Sequence, residues 1–146
     1  MDQPPLPPQT LPIEARWCLD QHPQRCIALE VADQPDEQQR GLMQRPALPP
    51  LQGMWFPARP SQPMRFWMLH TLAPLDMLFI RGGRVLDIAA NVPVCAALPC
   101  PSYWADADAN GRADFVDGVI ELGAGEALRL EIQPGDPATI ESNDAK

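Results

Sequence analysis

Short runs of alternating hydrophobic and polar residues recur along most of this chain, and Gly, Pro, Asn or Asp residues separate them. Such runs predict β-strands, which we assign to 17–19, 26–31, 53–56, 64–68, 76–80, 84–90, 119–122 and 138–140. Helix signals predict two short helices, at 33–40 and 125–132. The pattern therefore predicts a mainly β, α+β protein, a compact antiparallel β barrel or sandwich with two short helices.

The two ends of the chain differ in composition from the segment between them. Five prolines among the first twelve residues favour extended backbone, so we expect 1–12 to be a flexible lead-in. Residues 13–141 are predicted to form one globular domain, because a chain of 146 residues with 45% hydrophobic residues can bury a single core. Residues 142–146 are a predicted polar tail.

Charge and hydropathy exclude two classes of partner. The chain has 19 acidic and 11 basic residues, a net charge of -8, so its surface repels nucleic acid and anionic lipid. We expect no membrane insertion, because no apolar run approaches the roughly 20 residues of a spanning helix. The first residues have neither a basic nor an apolar region of a signal peptide, so any export signal is removed or absent.

Four cysteines fall in two local pairs, Cys18 with Cys26 and Cys95 with Cys100. The predicted hairpin of 17–19 and 26–31 places Cys18 opposite Cys26, where a cross-strand disulfide is possible. Three pairings are open, and the two local ones are the most natural. Disulfides predict an oxidising compartment, whereas four reduced thiols would indicate a cytosolic protein.

Large apolar side chains crowd beside polar groups in the segment 66–76. Trp67 with His70, Thr71 and Asp76 predicts the floor of a binding pocket, with the indole stacking on a ring of the ligand. In the alternative interpretation these residues are ordinary core and Asp76 caps a turn.

Two arginines and a tyrosine complete the candidate ligand site. Arg40 and Arg45 can present guanidinium groups to a carboxylate or phosphate, and Tyr103 is assigned to the same site. The alternative is that the arginines form structural ion pairs with the nearby acids of 30–37.

A stretch of alternating acids predicts a calcium loop. Calcium binds many oxygen ligands, and a loop of this spacing with a glycine at its bend can wrap them around one ion. A final Asp instead of Glu and the lack of predicted flanking helices depart from the usual pattern. The alternative is a solvated acidic insertion. The candidate ligands are Asp106, Asp108, Asn110, Arg112, Asp114 and Asp117.

The segments 40–45, 53–54, 66–80, 100–103 and 119–122 carry motifs that are specific in combination. Together they resemble domain-of-unknown-function family 192. The resemblance implies a compact barrel or sandwich, and members of this family often carry an export signal. This chain has Leu69-His70 where the family usually has Lys-Asn, and Pro93-Val94-Cys95 where it often has Pro-Pro-Cys. Any catalytic role of that Lys or Asn is therefore absent here.

The residues and the resemblance together favour a noncatalytic, exported module that binds a small ligand or acts as an accessory domain, with calcium as the one candidate cofactor. The partner is then a small ligand or another protein. A first alternative is a hydrolase with Cys100 as nucleophile and His70 as base. A second is a purely structural or protein-interaction domain. The predicted location is periplasmic or extracellular, with a cytoplasmic location as the alternative.

Overall fold

Seven strands and two short helices make up the fold of the computed structural model, which describes residues 4–143. The strands are β1 (Ile13–Leu19), β2 (His22–Val31), β3 (Gln52–Pro63), β4 (Leu75–Arg81), β5 (Arg84–Val92), β6 (Phe115–Gly123) and β7 (Glu141–Ser142). The helices are α1 (Pro35–Arg40), between β2 and β3, and α2 (Glu126–Arg129), between β6 and β7.

The strands form one sheet in the order β5-β4-β6-β3-β2-β1-β7. Neighbouring strands are antiparallel except for β2 and β3, which are parallel. The prediction of a mainly β, α+β protein with two short helices is confirmed. The sheet is open, with β5 and β7 at its edges, so the barrel arrangement does not apply and the sandwich or α+β arrangement fits.

Both faces of the sheet are buried, and each has its own hydrophobic cluster. One face carries Trp17, Leu29, Leu78 and Ile120, and α2 packs on it through Ala127. The other face carries twelve buried residues: Ala32, Leu42, Met54, Phe56, Met68, Leu75, Met77, Phe79, Val92, Ala105, Val116 and Val119. Successive side chains of a strand point to opposite faces, so β6 contributes Val119 to the second cluster and Ile120 to the first.

The hairpin of β1 and β2 has the predicted register. Cys18 lies opposite Cys26 and is joined to it by a disulfide, and Cys95 is joined to Cys100. Both predicted local pairings are therefore confirmed.

Some predicted elements differ from the observed ones. Residues 64–68 are not a strand; Phe66 forms a single bridge with Tyr103. The closing strand is at Glu141–Ser142 instead of 138–140, because residue 142 pairs with Ala15 of β1. Parts of the predicted lead-in (1–3) and tail (144–146) lie outside the described residues.

Helix α1 is held in place at both ends. Pro35 occupies its first turn, and Glu37 Oε1 accepts hydrogen bonds from the backbone N–H groups of residues 33 and 34. Gln38 Nε2 donates to the carbonyl oxygens of Ala32 and Pro57, both at 2.9 Å. Gly41 follows the helix with φ 46°, a conformation that favours glycine. The end of α1 is thus fixed against β3.

Candidate functional site

A cleft of about 340 Å³ opens between α1, the end of β3 and the segment that follows β3. This volume lies within the range of small-molecule sites. The lining residues are Gln38, Gln39, Arg40, Gly41, Leu42, Met43, Phe56, Gln62, Pro63, Met64, Arg65, Phe66, Trp67, Thr71 and Glu121. Arg40, Trp67 and Thr71, three of the predicted ligand-binding residues, therefore meet in one cleft.

The most unusual group in this cleft is the carboxyl group of Glu121, on β6. Strand alternation places Glu121 on the same face as Val119, and its neighbours across the sheet are Met54 and Met77. Glu121 is only 4% exposed, and its carboxyl group forms no hydrogen bond or ion pair with the described residues. A polar side chain thus stands at an apolar core position and lines the cleft.

Burial has a direct electrostatic consequence for Glu121. Loss of hydration disfavours the charged form, and this raises the pKa of Glu121 from 4.5 to about 8. The carboxyl group is therefore mostly protonated at neutral pH. Such a group donates a hydrogen bond when protonated and binds a cation when ionised.

Aromatic side chains form one wall of the cleft. The rings of Phe56 and Phe66 meet edge to face, with centroids 5.1 Å apart. Trp67 is 38% exposed, so it is not a core residue in the described structure. Two backbone contacts shape the segment: the N–H of Thr71 donates to Met68 O, and Phe66 pairs with residue 103.

Two arginines bring positive charge to the cleft. The Arg40 guanidinium forms no hydrogen bond or ion pair with the described residues. The guanidinium carbon of Arg65 lies over the Trp104 ring, 4.7 Å from its centroid, a cation–π contact. The N–H groups of Arg65 form no hydrogen bond or ion pair with the described residues.

Other predicted ligand-binding residues have roles in the fold. Arg45 forms a two-point ion pair with Glu30, both contacts at 2.8 Å, and also donates to the carbonyl of Gln9. Glu30 is 6% exposed, and its Oε1 also accepts the Leu11 N–H. These contacts agree with the structural interpretation of Arg45.

Asp76 also acts within the fold. It is fully buried, and its carboxylate accepts hydrogen bonds from the backbone N–H groups of Asn91, Gly125 and Ala127. His70 and Tyr103 do not line the cleft. The His70 carbonyl accepts the N–H of Gln44, and this bond ties the segment to the turn after α1.

The disulfide between Cys95 and Cys100 bears on the hydrolase hypothesis. A nucleophilic cysteine must be a free thiolate, and Cys100 is bonded to Cys95. The Cys100 and His70 pair is therefore wrong as a catalytic dyad in the described structure.

The predicted calcium loop brings part of its ligand set together. Asp106, Asp108 and Asp114 each place a carboxylate oxygen within 4.8 Å of the others. Asp117 is not part of this group of carboxylates; its carboxylate accepts a hydrogen bond from the N–H of Gly82 at 2.7 Å.

Hydrogen bonds from backbone N–H groups to side-chain oxygens account for the shape of this loop without an ion. Asp106 accepts the N–H groups of Asn110 and Gly111, and Asp114 accepts that of Ala107. The side-chain carbonyl of Asn110 accepts the Arg112 N–H. Calcium binding stays a prediction, with three carboxylates as its strongest candidates.

If the loop binds calcium, excess calcium is expected to raise the thermal unfolding midpoint relative to chelator. Binding to the native state alone, at about a hundred times the dissociation constant, adds about 2.7 kcal/mol. Asp108→Ala should abolish the rise, and Asp136→Ala, in another turn, should keep it. An equal midpoint in calcium and in chelator would leave the loop as a solvated insertion.

A second hollow, of about 740 Å³, lies beside β1 and the start of α1. Its volume is larger than that of the cleft, but its charged lining residues are all exposed; they are Glu14, Asp33 and Arg59. No buried carboxyl faces it among the described residues. We therefore place the candidate site in the smaller cleft.

Sequence reasoning missed two of the three charged residues of the cleft, Glu121 and Arg65. Glu121 stands between two apolar residues, which is the ordinary pattern of a strand with one exposed face. The position of Glu121 in the core could have been recognised only from the burial of both faces of its strand. That burial follows from the central place of β6 in the sheet, which depends on the order of the strands. Arg65 lies in a segment that was predicted to be regular strand.

Comparison with known proteins is consistent with this fold. The sequence profile of domain-of-unknown-function family 192, described as Uncharacterized ACR, matches residues 18–140. No curated protein matches the sequence. No helix within residues 4–143 is long and apolar enough to cross a membrane.

Two solved structures are similar to this chain. One is from Sinorhizobium meliloti and is described as a candidate transcription regulator; it is 30% identical, covers 88% of this chain and 92% of its own, and has a TM-score of 0.68. The other is a protein of unknown function from Novosphingobium aromaticivorans; it is 30% identical, covers 86% of this chain and 83% of its own, and has a TM-score of 0.70. With a family profile that spans most of its length, this chain belongs to domain-of-unknown-function family 192.

Proposed function

We propose that this protein is a noncatalytic module that binds a small molecule in the cleft between α1 and the segment 64–71. The observation that carries the proposal is the buried carboxyl group of Glu121, which lines the cleft without a partner among the described residues. A buried polar group without a hydrogen bond costs stability, and a ligand that supplies the missing partner recovers this loss.

The composition of the cleft supports binding. It combines apolar and aromatic side chains such as Leu42 and Phe66 with polar side chains that can orient a ligand, among them Gln38, Gln62 and Thr71. Among the described lining residues Glu121 is the one carboxyl group, and no histidine or cysteine accompanies it. Acid–base or nucleophilic catalysis needs a second positioned group, so binding is the simpler use of this arrangement.

The exposed part of Trp67 argues against a purely structural domain. An indole that is 38% exposed beside a cleft offers a surface on which a ligand ring can stack. A net charge of -8 opposes contact with phosphate backbones, so we do not propose a nucleic-acid-binding role, although the similar Sinorhizobium protein is described as a transcription regulator.

The two disulfides support a periplasmic or extracellular location, since such bonds persist in oxidising compartments. Labelling of free thiols in freshly lysed cells tests this part of the proposal. Four labelled cysteines would contradict it.

The proposed function is tested with thermal unfolding across a broad library of small metabolites. We expect at least one compound to raise the midpoint of the wild type, and Trp67→Ala to abolish the rise. Because Trp67 is partly exposed, this change should cost less than the roughly 3 to 5 kcal/mol of a buried tryptophan. No stabilising compound in the library would contradict a binding function.

Trp17→Ala serves as the matched comparison for stability. Trp17 is 1% exposed, so its loss should cost the full amount. If Trp67→Ala is as destabilising as Trp17→Ala, Trp67 acts as core and the stacking role is wrong.

A further inference from the structure

Opposite charges occupy the same cleft and are not paired with each other. Among the described lining residues, the charged or titratable side chains are Glu121 from β6, Arg40 from α1 and Arg65 after β3. No ion pair links Glu121 to either arginine. The carboxyl group is buried, whereas Arg65 is exposed and Arg40 is partly exposed. The cleft therefore offers an acid in its interior and cations nearer the solvent.

Resting on the proposed function, we propose that the ligand is a small zwitterion of the amino acid class. Its ammonium group pairs with the Glu121 carboxylate, and its carboxylate pairs with the guanidinium groups of Arg40 and Arg65. The carbon skeleton of the ligand lies against the aromatic wall.

The interior of the cleft favours an ammonium group over a neutral donor. A buried carboxylate gains most from a partner that carries a full positive charge, because the local dielectric is low. Pairing stabilises the ionised form of Glu121, so the proton held at neutral pH is released to solvent on binding.

The rim favours a carboxylate. The Arg40 guanidinium has no partner among the described residues, although the chain carries more acids than bases. The Arg65 guanidinium contacts the Trp104 ring, and its N–H groups have no partner among the described residues, so they can make a two-point contact with a planar anion. A simple amine would leave these arginines unused, and a simple acid would leave Glu121 without a countercharge.

The test is isothermal titration calorimetry of the wild-type protein with the twenty common L-amino acids. The best binder is then compared with its amine-only and acid-only analogues, which lack the carboxylate and the ammonium group respectively. We expect each analogue to bind at least roughly tenfold more weakly. Titrations at pH 7 in phosphate and in Tris should report release of about one proton per ligand, because the pKa of Glu121 lies about one unit higher.

Single-residue variants test which residues contact the ammonium group and which contact the carboxylate of the ligand. Glu121→Gln should abolish proton release and weaken binding at least roughly tenfold, whereas Arg40→Gln should weaken binding and keep proton release. Arg59→Gln, an exposed arginine of the second hollow, is the control and should bind like the wild type.

The outcomes separate this inference from the proposed function. If no amino acid binds but the metabolite library gives another ligand of the cleft, the binding function stands and the zwitterion is wrong. An amine-only analogue that binds as tightly as the amino acid overturns the role of the arginines. Binding without proton release overturns the pairing with Glu121. Failure of both the library and the amino acids overturns both proposals.

Discussion

Asp76→Ala is expected to lower the free energy of unfolding by about 4 kcal/mol. Asp76 is fully buried, and its two oxygens accept backbone N–H groups of Asn91 at 2.8 Å, Gly125 at 3.2 Å and Ala127 at 2.9 Å. Alanine leaves these three donors without an acceptor, and each buried unsatisfied group costs about 1 to 3 kcal/mol. Equilibrium unfolding in urea, followed by tryptophan fluorescence, measures the loss.

Two further variants show whether the hydrogen bonds cause the effect. Asp76→Asn keeps one acceptor oxygen and the shape of the side chain, so it should lose less than alanine does. Asp136→Ala removes one bond, from the N–H of Gln133, at an exposed turn, and should cost less than about 1 kcal/mol. An Asp76→Ala protein within about 1 kcal/mol of the wild type would contradict the structural role.

The role of Asp76 also affects how binding data are interpreted. It joins the start of β4 to the end of β5 and to the first turn of α2. The segment that carries Trp67 and Thr71 leads directly into β4. A binding defect in Asp76→Ala would therefore follow from local unfolding and would not identify Asp76 as a ligand contact.

Local patterns allowed much of the fold to be predicted. The hairpin of β1 and β2 follows from two β-prone runs around a turn, and its register pairs Cys18 with Cys26. The limits of α1 follow from its early proline and the glycine after it. These features depend on neighbours in sequence, which a single chain displays.

Features that depend on distant segments were harder to predict. The parallel pairing of β2 with β3 and the central position of β6 are set by packing between segments far apart in sequence. The segment 64–68 has a strand-like composition, but it pairs at only one bridge, and Trp67 remains partly exposed. The candidate site shares this limit, because Glu121 reaches the cleft only after β6 is placed between β3 and β4.

Glu121→Gln is expected to remove a large pH dependence of stability. The folded protein holds the Glu121 proton up to about pH 8, whereas the unfolded chain releases it near 4.5. Between these values the unfolded state binds fewer protons, so stability falls as pH rises. The contribution of Glu121 is fully present below about pH 4.5 and decreases until pH passes 8. Between pH 5 and pH 8 the loss amounts to roughly 3 to 4 kcal/mol.

The measurement is the free energy of unfolding in urea at pH 5 and pH 8 for wild type and variant. Glutamine does not titrate, so the stability of the variant relative to the wild type should rise by roughly 3 to 4 kcal/mol over this range. Glu126→Gln is the control, because a hydrogen bond from Arg129 lowers the pKa of Glu126 below 4.5, so its difference from the wild type should stay nearly constant between pH 5 and pH 8. An unchanged difference between pH 5 and pH 8 would show that Glu121 titrates normally.

A bound ligand should weaken this pH dependence of stability. An ammonium group paired with Glu121 stabilises the ionised carboxylate and lowers its pKa, so the liganded protein loses less stability as pH rises. The gain in stability from a zwitterionic ligand is therefore expected to be larger at pH 8 than at pH 5, and this difference should disappear in Glu121→Gln. An apolar side chain at position 121 would avoid the cost of burying the acid in the empty cleft, but it would give the ligand no countercharge.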